Sequence, residues 1–204
     1  MNPDRSRSRC SYNCQRYLEA LEYALRAHEG QFRKGSRIPY ITHPVAVSAI
    51  LAEYGYDEDI VIAALLHDVL EDAEVSEVEL EKRFGGRVAS IVRGVTEEKT
   101  DENGIPREWE IRKEEAIRHT GLAEEPVVAL KAADSLHNVY SLVRDLRVTG
   151  ESLWARFKRG KEKQLDYYRR LSSIIRQRLK DSPLAIELCE AVTILEKVAS
   201  EYDH

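Results

Sequence analysis

Apolar residues return every three or four positions along most of the chain, and nowhere does a period-two alternation persist. That spacing predicts amphipathic helices packed on one another and leaves no segment that reads as a half-buried strand. The punctuation agrees. Tyr17, Leu18, Leu21, Ala24 and Leu25 share one helical face, ending near Gly30. A polar loop, QFRKGSRIPYI, leads to Thr42-His43-Pro44, where Thr42 or His43 precedes a second helix with Pro44 near its first position. Asp57 or Asp59 caps a third, and Ser76 with Glu79 makes a capping box for a short one that stops at Gly85-Gly86. Further helices are predicted over 87–95, 107–119, Pro126 to about 147, 158–180 and 184–200, with Ser182 and Pro183 as N-cap and N1 of the last. The expectation is an all-α bundle of roughly eight to ten helices.

With 204 residues, no repeat and no Pro/Gly-rich linker, one domain is expected over 11–204, after a flexible tail over 1–10. Hydrophobic residues make up 43% and charged ones 33%, a globular balance. No apolar run approaches the ~20 residues a membrane span needs. The opening MNPDRSRSRC lacks the apolar segment of a secretory signal, so no membrane association and a cytoplasmic location are expected. A net charge of -5 argues against a nucleic-acid binder, so an anionic ligand would need a local basic patch. Cys10, Cys14 and Cys189 lack metal-ligand spacing and read as reduced bystanders.

One helix breaks its own pattern. In AALLHDVLED, residues 63–72, His67, Asp68, Glu71 and Asp72 interrupt a run that should face a core. On a continuous helix His67 would line up with Glu71 and Asp68 with Asp72. Buried carboxylates need partners, either basic side chains or a divalent cation. Two other segments favour the cation. His43 sits at a helix start after a loop, and Asp134 lies in the otherwise apolar VALKAADSLHNVYSL, followed on its stripe by Asn138 and Ser141. His43, His67, Asp68 and Asp134 would form a mixed nitrogen and oxygen site suited to Mn²⁺, Fe²⁺ or Zn²⁺ more than to Mg²⁺.

At these residues the chain resembles HD-domain metal phosphohydrolases, whose signature is H…HD…D. AHEGQFRKG…IPYITHP, AALLHDVLED, FGGRVASIVRGVTEEKT and LKAADSLHN together resemble the hydrolase domain of RelA/SpoT alarmone proteins, in order, over roughly residues 18–180. With no room for their synthetase and regulatory domains, the chain looks like a stand-alone small alarmone hydrolase of the Mesh1 type. The resemblance implies an HD-domain helical bundle and Mn²⁺-dependent removal of pyrophosphate from the ribose 3′-oxygen of (p)ppGpp, giving GDP or GTP. By position it implies His43, His67, Asp68 and Asp134 as ligands of one ion, and Glu71 and Asp72 as the pair that positions and deprotonates water. A carboxylate one turn from a metal's ligands can take that proton.

The resemblance also implies a substrate-binding set. Arg33 would stack on the base, with Lys34 beside it; Lys99 would lie close to the phosphates. Tyr40 and Asn138 would line the nucleoside pocket, and Lys163 and Tyr167 would reach substrate, although RFKRGKEKQLDYYRRL also reads as a solvated helix face. His28 and His137 read as structural, the latter pointing about 100° from Asn138; His119 and His204 read as surface residues. Trp109 and Trp154 read as packing groups.

Three departures stand out. Ser135 replaces the usual basic residue after the last metal Asp, the loop Gly35–Ile38 differs in length among relatives, and DENGIPREWEIRKEE matches only loosely. Base preference therefore stays open between guanine and adenine. A broader nucleotide phosphohydrolase acting on pppApp or NADPH, and a non-catalytic nucleotide-binding module, are the rival readings. Neither oligomeric state nor regulation follows from the sequence.

Overall fold

The structure is a computed structural model that describes residues 12–72 and 75–202, apart from the side chain of Asp72. The tail over 1–10, with Cys10, and His204 lie outside the described residues. Ten α-helices follow one another: α1 Cys14–Ala27, α2 Thr42–Glu53, α3 Glu58–Leu66, α4 Val69–Asp72, α5 Glu77–Phe84, α6 Gly86–Val95, α7 Trp109–Leu122, α8 Glu125–Thr149, α9 Gly160–Arg178 and α10 Pro183–Ser200. A 3-10 helix, Gly150–Arg156, joins α8 to α9. Among the described residues only two isolated bridges occur, Phe32 with Pro39 and Thr100 with Pro106, and no strand. Among the described residues no helix is long and apolar enough to cross a membrane.

Most boundaries follow local chemistry. Asp57 accepts from the backbone N–H groups of Asp59 and Ile60 and starts α3. The hydroxyl of Ser76 accepts from Glu79 N, and Gly85, at φ 94°, ends α5 in a conformation that favours glycine. Ser182 stands before Pro183 as expected but makes no side-chain cap.

α8 is the axis of the bundle. It packs against α2, α3, α6, α7, α9 and α10. Its Val128, Ala129, Leu130, Ala132, Ala133, Leu136, Val139 and Leu146 are buried. Ala132 and Ala133 are small enough to admit close neighbours. α3 is apolar on every side, with Ile60 to Leu66 all buried, so it sits beside α8 rather than over it as a surface helix. The consequence is that the C-terminal end of α3, the first turn of α2 and the middle of α8 meet inside the molecule.

The stretch 63–72 is not one helix. α3 ends at Leu66, residues 67–68 turn, and α4 begins at Val69. The expected alignment of His67 with Glu71 and Asp68 with Asp72 on a continuous helix is therefore lost. The local cause is the imidazole of His67, whose Nδ1 donates to Ala64 O at 2.7 Å. That bond occupies the carbonyl region that the next turn would use, and the chain tightens so that Glu71 N reaches Asp68 O at 3.1 Å.

Candidate metal centre

His43, in the first turn of α2, is 2% exposed, and His67, after α3, is 4% exposed. Asp134 reaches them from α8. One ligand atom from each of these three lies within 4.8 Å of the others. His43 Nε2 is 3.3 Å from Asp134 Oδ1, and His67 Nε2 is 4.0 Å from the same oxygen. Asp68 stands at the edge of this group. Its Oδ2 is 3.1 Å from His67 Nε2 and 3.7 Å from His43 Nε2, and it accepts from the Tyr40 hydroxyl at 2.7 Å.

The donor set fits a divalent cation. Ala64 O can only accept, so His67 Nδ1 carries its proton and Nε2 presents a lone pair when the ring is neutral. That Nε2 is buried and makes no well-aligned hydrogen bond among the described residues, although Asp68 Oδ2 lies 3.1 Å away. His43 Nδ1 lies 2.7 Å from His137 Nδ1. Assigning the proton to His43 leaves its Nε2 free to ligate and makes His137 the acceptor. Burial lowers the pKa of both His43 and His137, the latter to about 4 with repulsion from His43 and Arg33, so both rings are neutral at pH 7.

Electrostatics show what protein groups alone must do here. Burial opposes charge on His67, but the carboxylates of Asp68 and Asp134 outweigh it and raise the ring to about 9. Burial likewise opposes ionisation of both aspartates. His67 nonetheless holds Asp68 below the usual range, and Lys131 with the two histidines holds Asp134 well below it. A proton on His67 Nε2 and a metal ion would therefore compete for the same lone pair.

Lys131 was not among the expected residues. Its ammonium is 3.2 Å from Asp134 Oδ2, one turn back on α8, with its side chain 13% exposed. His137 too was read as merely structural, whereas it orients His43. Both stand three residues from Asp134, a spacing that shares a helix face and could have marked them.

The expected water-handling pair is half visible. Glu71, on α4, accepts from Glu97 N at 2.8 Å and pairs with Lys99 Nζ at 3.3 Å. Burial raises its pKa, the Glu97 N–H lowers it, and Asp68 raises it again; the net shift is upward. Glu97 is itself held by Lys113 at 2.6 Å and Arg112 at 3.3 Å, both on α7. Asp72 closes α4, and its side chain lies outside those described.

Beside the centre lies a cavity of about 500 Å³. Arg33, Lys34, Tyr40, His137 and Asn138 line it. Asn138 ties it to the centre, donating to Asp134 Oδ1 at 2.6 Å and accepting from Arg33 at 2.7 Å. Lys34 lies over the Phe157 ring, 4.9 Å from its centroid. Lys163 and Tyr167 are not on its wall. They line a separate groove with Trp109, where Tyr167 is 6% exposed, edge-on to Trp109, with Lys113 over its ring. Trp154 is 5% exposed and packs near Phe157, as its packing assignment expected.

Residues 20–164 match the HD domain family. This chain belongs to that family. The HD domain is 45% identical over 119 residues to a guanosine-3′,5′-bis(diphosphate) 3′-pyrophosphohydrolase of Haemophilus influenzae, covering 57% of this chain and 17% of that protein. The chain thus spans under a fifth of the length of that relative. It is 36% identical over 130 residues to the guanosine-3′,5′-bis(diphosphate) 3′-pyrophosphohydrolase MESH1 of Danio rerio, covering 62% of this chain and 69% of that one. Among solved structures, a metazoan ortholog of SpoT that hydrolyses ppGpp superposes with a TM-score of 0.73 at 30% identity, over 90% of this chain and 97% of that chain. The all-α architecture expected from periodicity and the family expected from H…HD…D are both borne out.

Proposed function

We propose that this HD domain is a metal-dependent hydrolase of (p)ppGpp that releases pyrophosphate from the 3′-position and leaves GDP or GTP. The observation that carries the reading is the buried N,N,O group of His43, His67 and Asp134, set at the edge of a cavity lined by Arg33 and Lys34. The names of the Haemophilus and Danio relatives supply the substrate. His43, His67 and Asp134, with Asp68 beside them, would hold one Mn²⁺. The ion would supply Lewis acidity and charge neutralisation at the reacting phosphorus.

The protein's own groups divide the remaining work. The water oxygen bonds to the 3′-phosphorus, the bond from phosphorus to ribose O3′ breaks, and O3′ takes up a proton as GDP departs. Glu71 accepts the water proton: burial has raised its pKa toward the working pH, and Glu97 N–H fixes its orientation. Asp72, next along α4, is proposed as its partner. Lys99, beside Glu71, is proposed to meet the departing diphosphate. Asn138 and Tyr40, already bonded to Asp134 and Asp68, would orient the nucleoside. Arg33, held by Asn138, would lie against the base. Lys163 and Tyr167 stand outside the cavity wall and have no part in this arrangement.

Purified protein loaded with Mn²⁺ should convert ppGpp to equal amounts of GDP and pyrophosphate, and Asp134→Ala should abolish this. Release of phosphate from NADPH, with none of these products from ppGpp, would overturn the proposal.

A further inference from the structure

We infer that Asp145, held by Arg156, reads the Watson–Crick edge of the purine and makes this hydrolase guanine-selective. The inference rests on the proposed function and settles the base that the sequence left open.

Asp134, Asn138, Ser141 and Asp145 recur at spacings of 4, 3 and 4 along α8, which places them on one stripe of the helix. Eleven residues of helix rise roughly 16 Å. Asn138, Ser141 and Asp145 all line the 500 Å³ cavity, so the stripe forms one of its walls.

The cavity also carries surface that suits a flat base. Leu142, Leu153, Phe157 and Ile38 contribute apolar surface, and among them stands an ion pair, Arg156 Nη1 to Asp145 Oδ2 at 2.9 Å. Arg156 is fixed from two sides. A Cβ on Gly35 would stand 2.6 and 2.8 Å from its Cδ and Nε, and Gly35 has φ +73°, a conformation that favours glycine and lets the loop approach this closely. The same loop carries Arg33 and Lys34. Asp145 Oδ1 makes no hydrogen bond to any described residue.

Arg156 thus takes one carboxylate oxygen of a side chain that lines the cavity and leaves the other as a charged acceptor. Guanine offers an N1–H donor to such a group. Adenine offers a lone pair at N1, which the carboxylate repels. The ion pair also fixes what Asp145→Asn would do. The amide oxygen would stay on Arg156, and the NH₂ group would stand where the acceptor stood, reversing the complementarity in favour of adenine.

The test compares guanosine, inosine and adenosine 3′,5′-bis(diphosphates) on the full chain, by calorimetric binding and by pyrophosphate release. The native protein should favour guanine over adenine by roughly ten- to hundredfold, the scale of one hydrogen bond to a charged group. Inosine, which keeps N1–H, should rank above adenine. Asp145→Asn should move the guanine-to-adenine ratio toward or past one. An unchanged ratio in that variant, whether both substrates fall together or neither does, would overturn the inference, as would inosine behaving like adenine. Guanine-selective binding without pyrophosphate release would instead overturn the proposed hydrolysis and leave this assignment standing.

Discussion

Replacing Lys131 by Met removes the ammonium that touches Asp134 while keeping the length of the buried stem. Nζ lies 3.2 Å from Asp134 Oδ2, and each side chain is 13% exposed. Removing one member of a buried pair commonly costs about 3–5 kcal/mol. Here His67, raised to about 9, stays protonated at pH 7 in metal-free protein and still compensates Asp134. A loss of about 2–3 kcal/mol is therefore expected, near the range for one hydrogen bond between charged groups. For a domain of this size that corresponds to a fall in Tm of roughly 4–12 °C. With Mn²⁺ present the deficit should shrink by more than ~1 kcal/mol, because a divalent ion gives Asp134 a second counter-charge. Scanning calorimetry of both proteins, with and without Mn²⁺, reads all four values. An equal deficit in both conditions would show that Asp134 does not feel the ion, and the ligand assignment would fail.

Mn²⁺ affinity should climb with pH. A ring held at about 9 is protonated at pH 7, so binding must displace a proton. Affinity should rise nearly tenfold per pH unit up to about 9 and then flatten, and calorimetry in buffers of different ionisation enthalpy should count close to one proton released at pH 7. The same shift gives metal-free protein stability that is full below pH 6.5 and lost as the pH rises through about 9. Glu71→Gln should leave metal binding intact and lower kcat by ~10²–10⁴, the usual worth of a positioned base; wild-type-like turnover would remove Glu71 from the reaction. His137→Phe should weaken Mn²⁺ binding by roughly 10–100-fold, since His43 loses the acceptor that orients it. Equilibrium dialysis checks this, and an unchanged affinity would make His137 a packing residue only.

Much of the molecule is legible in its sequence. Helix starts were marked by Asp57, Ser76 and Pro183, and His43, His67 and Asp134 could be picked out as polar groups inside apolar segments. What escaped depends on side chains meeting across the fold. The break at residues 67–68 follows from one bond, His67 to Ala64 O, that periodicity does not encode. Lys131 looked like an ordinary helical lysine until Asp134 and the enclosing helices were placed around it. Lys163 and Tyr167 share a helix face as expected, but the packing of α9 against α7 turns that face toward Trp109 and away from the cavity. The ion pair of Asp145 with Arg156 joins α8 to the 3-10 helix after it, and no local pattern announces it.

The central claim is that His43, His67 and Asp134 hold one divalent ion that turns this cavity into a ppGpp hydrolase. Its most direct test is to titrate metal-free protein with Mn²⁺ while following pyrophosphate release from ppGpp. The account predicts activity that rises in step with binding and saturates at one ion per chain, and that disappears together with the tight site in Asp134→Asn. Pyrophosphate release at full rate without any bound divalent ion, or tight Mn²⁺ binding that survives Asp134→Asn, would contradict it.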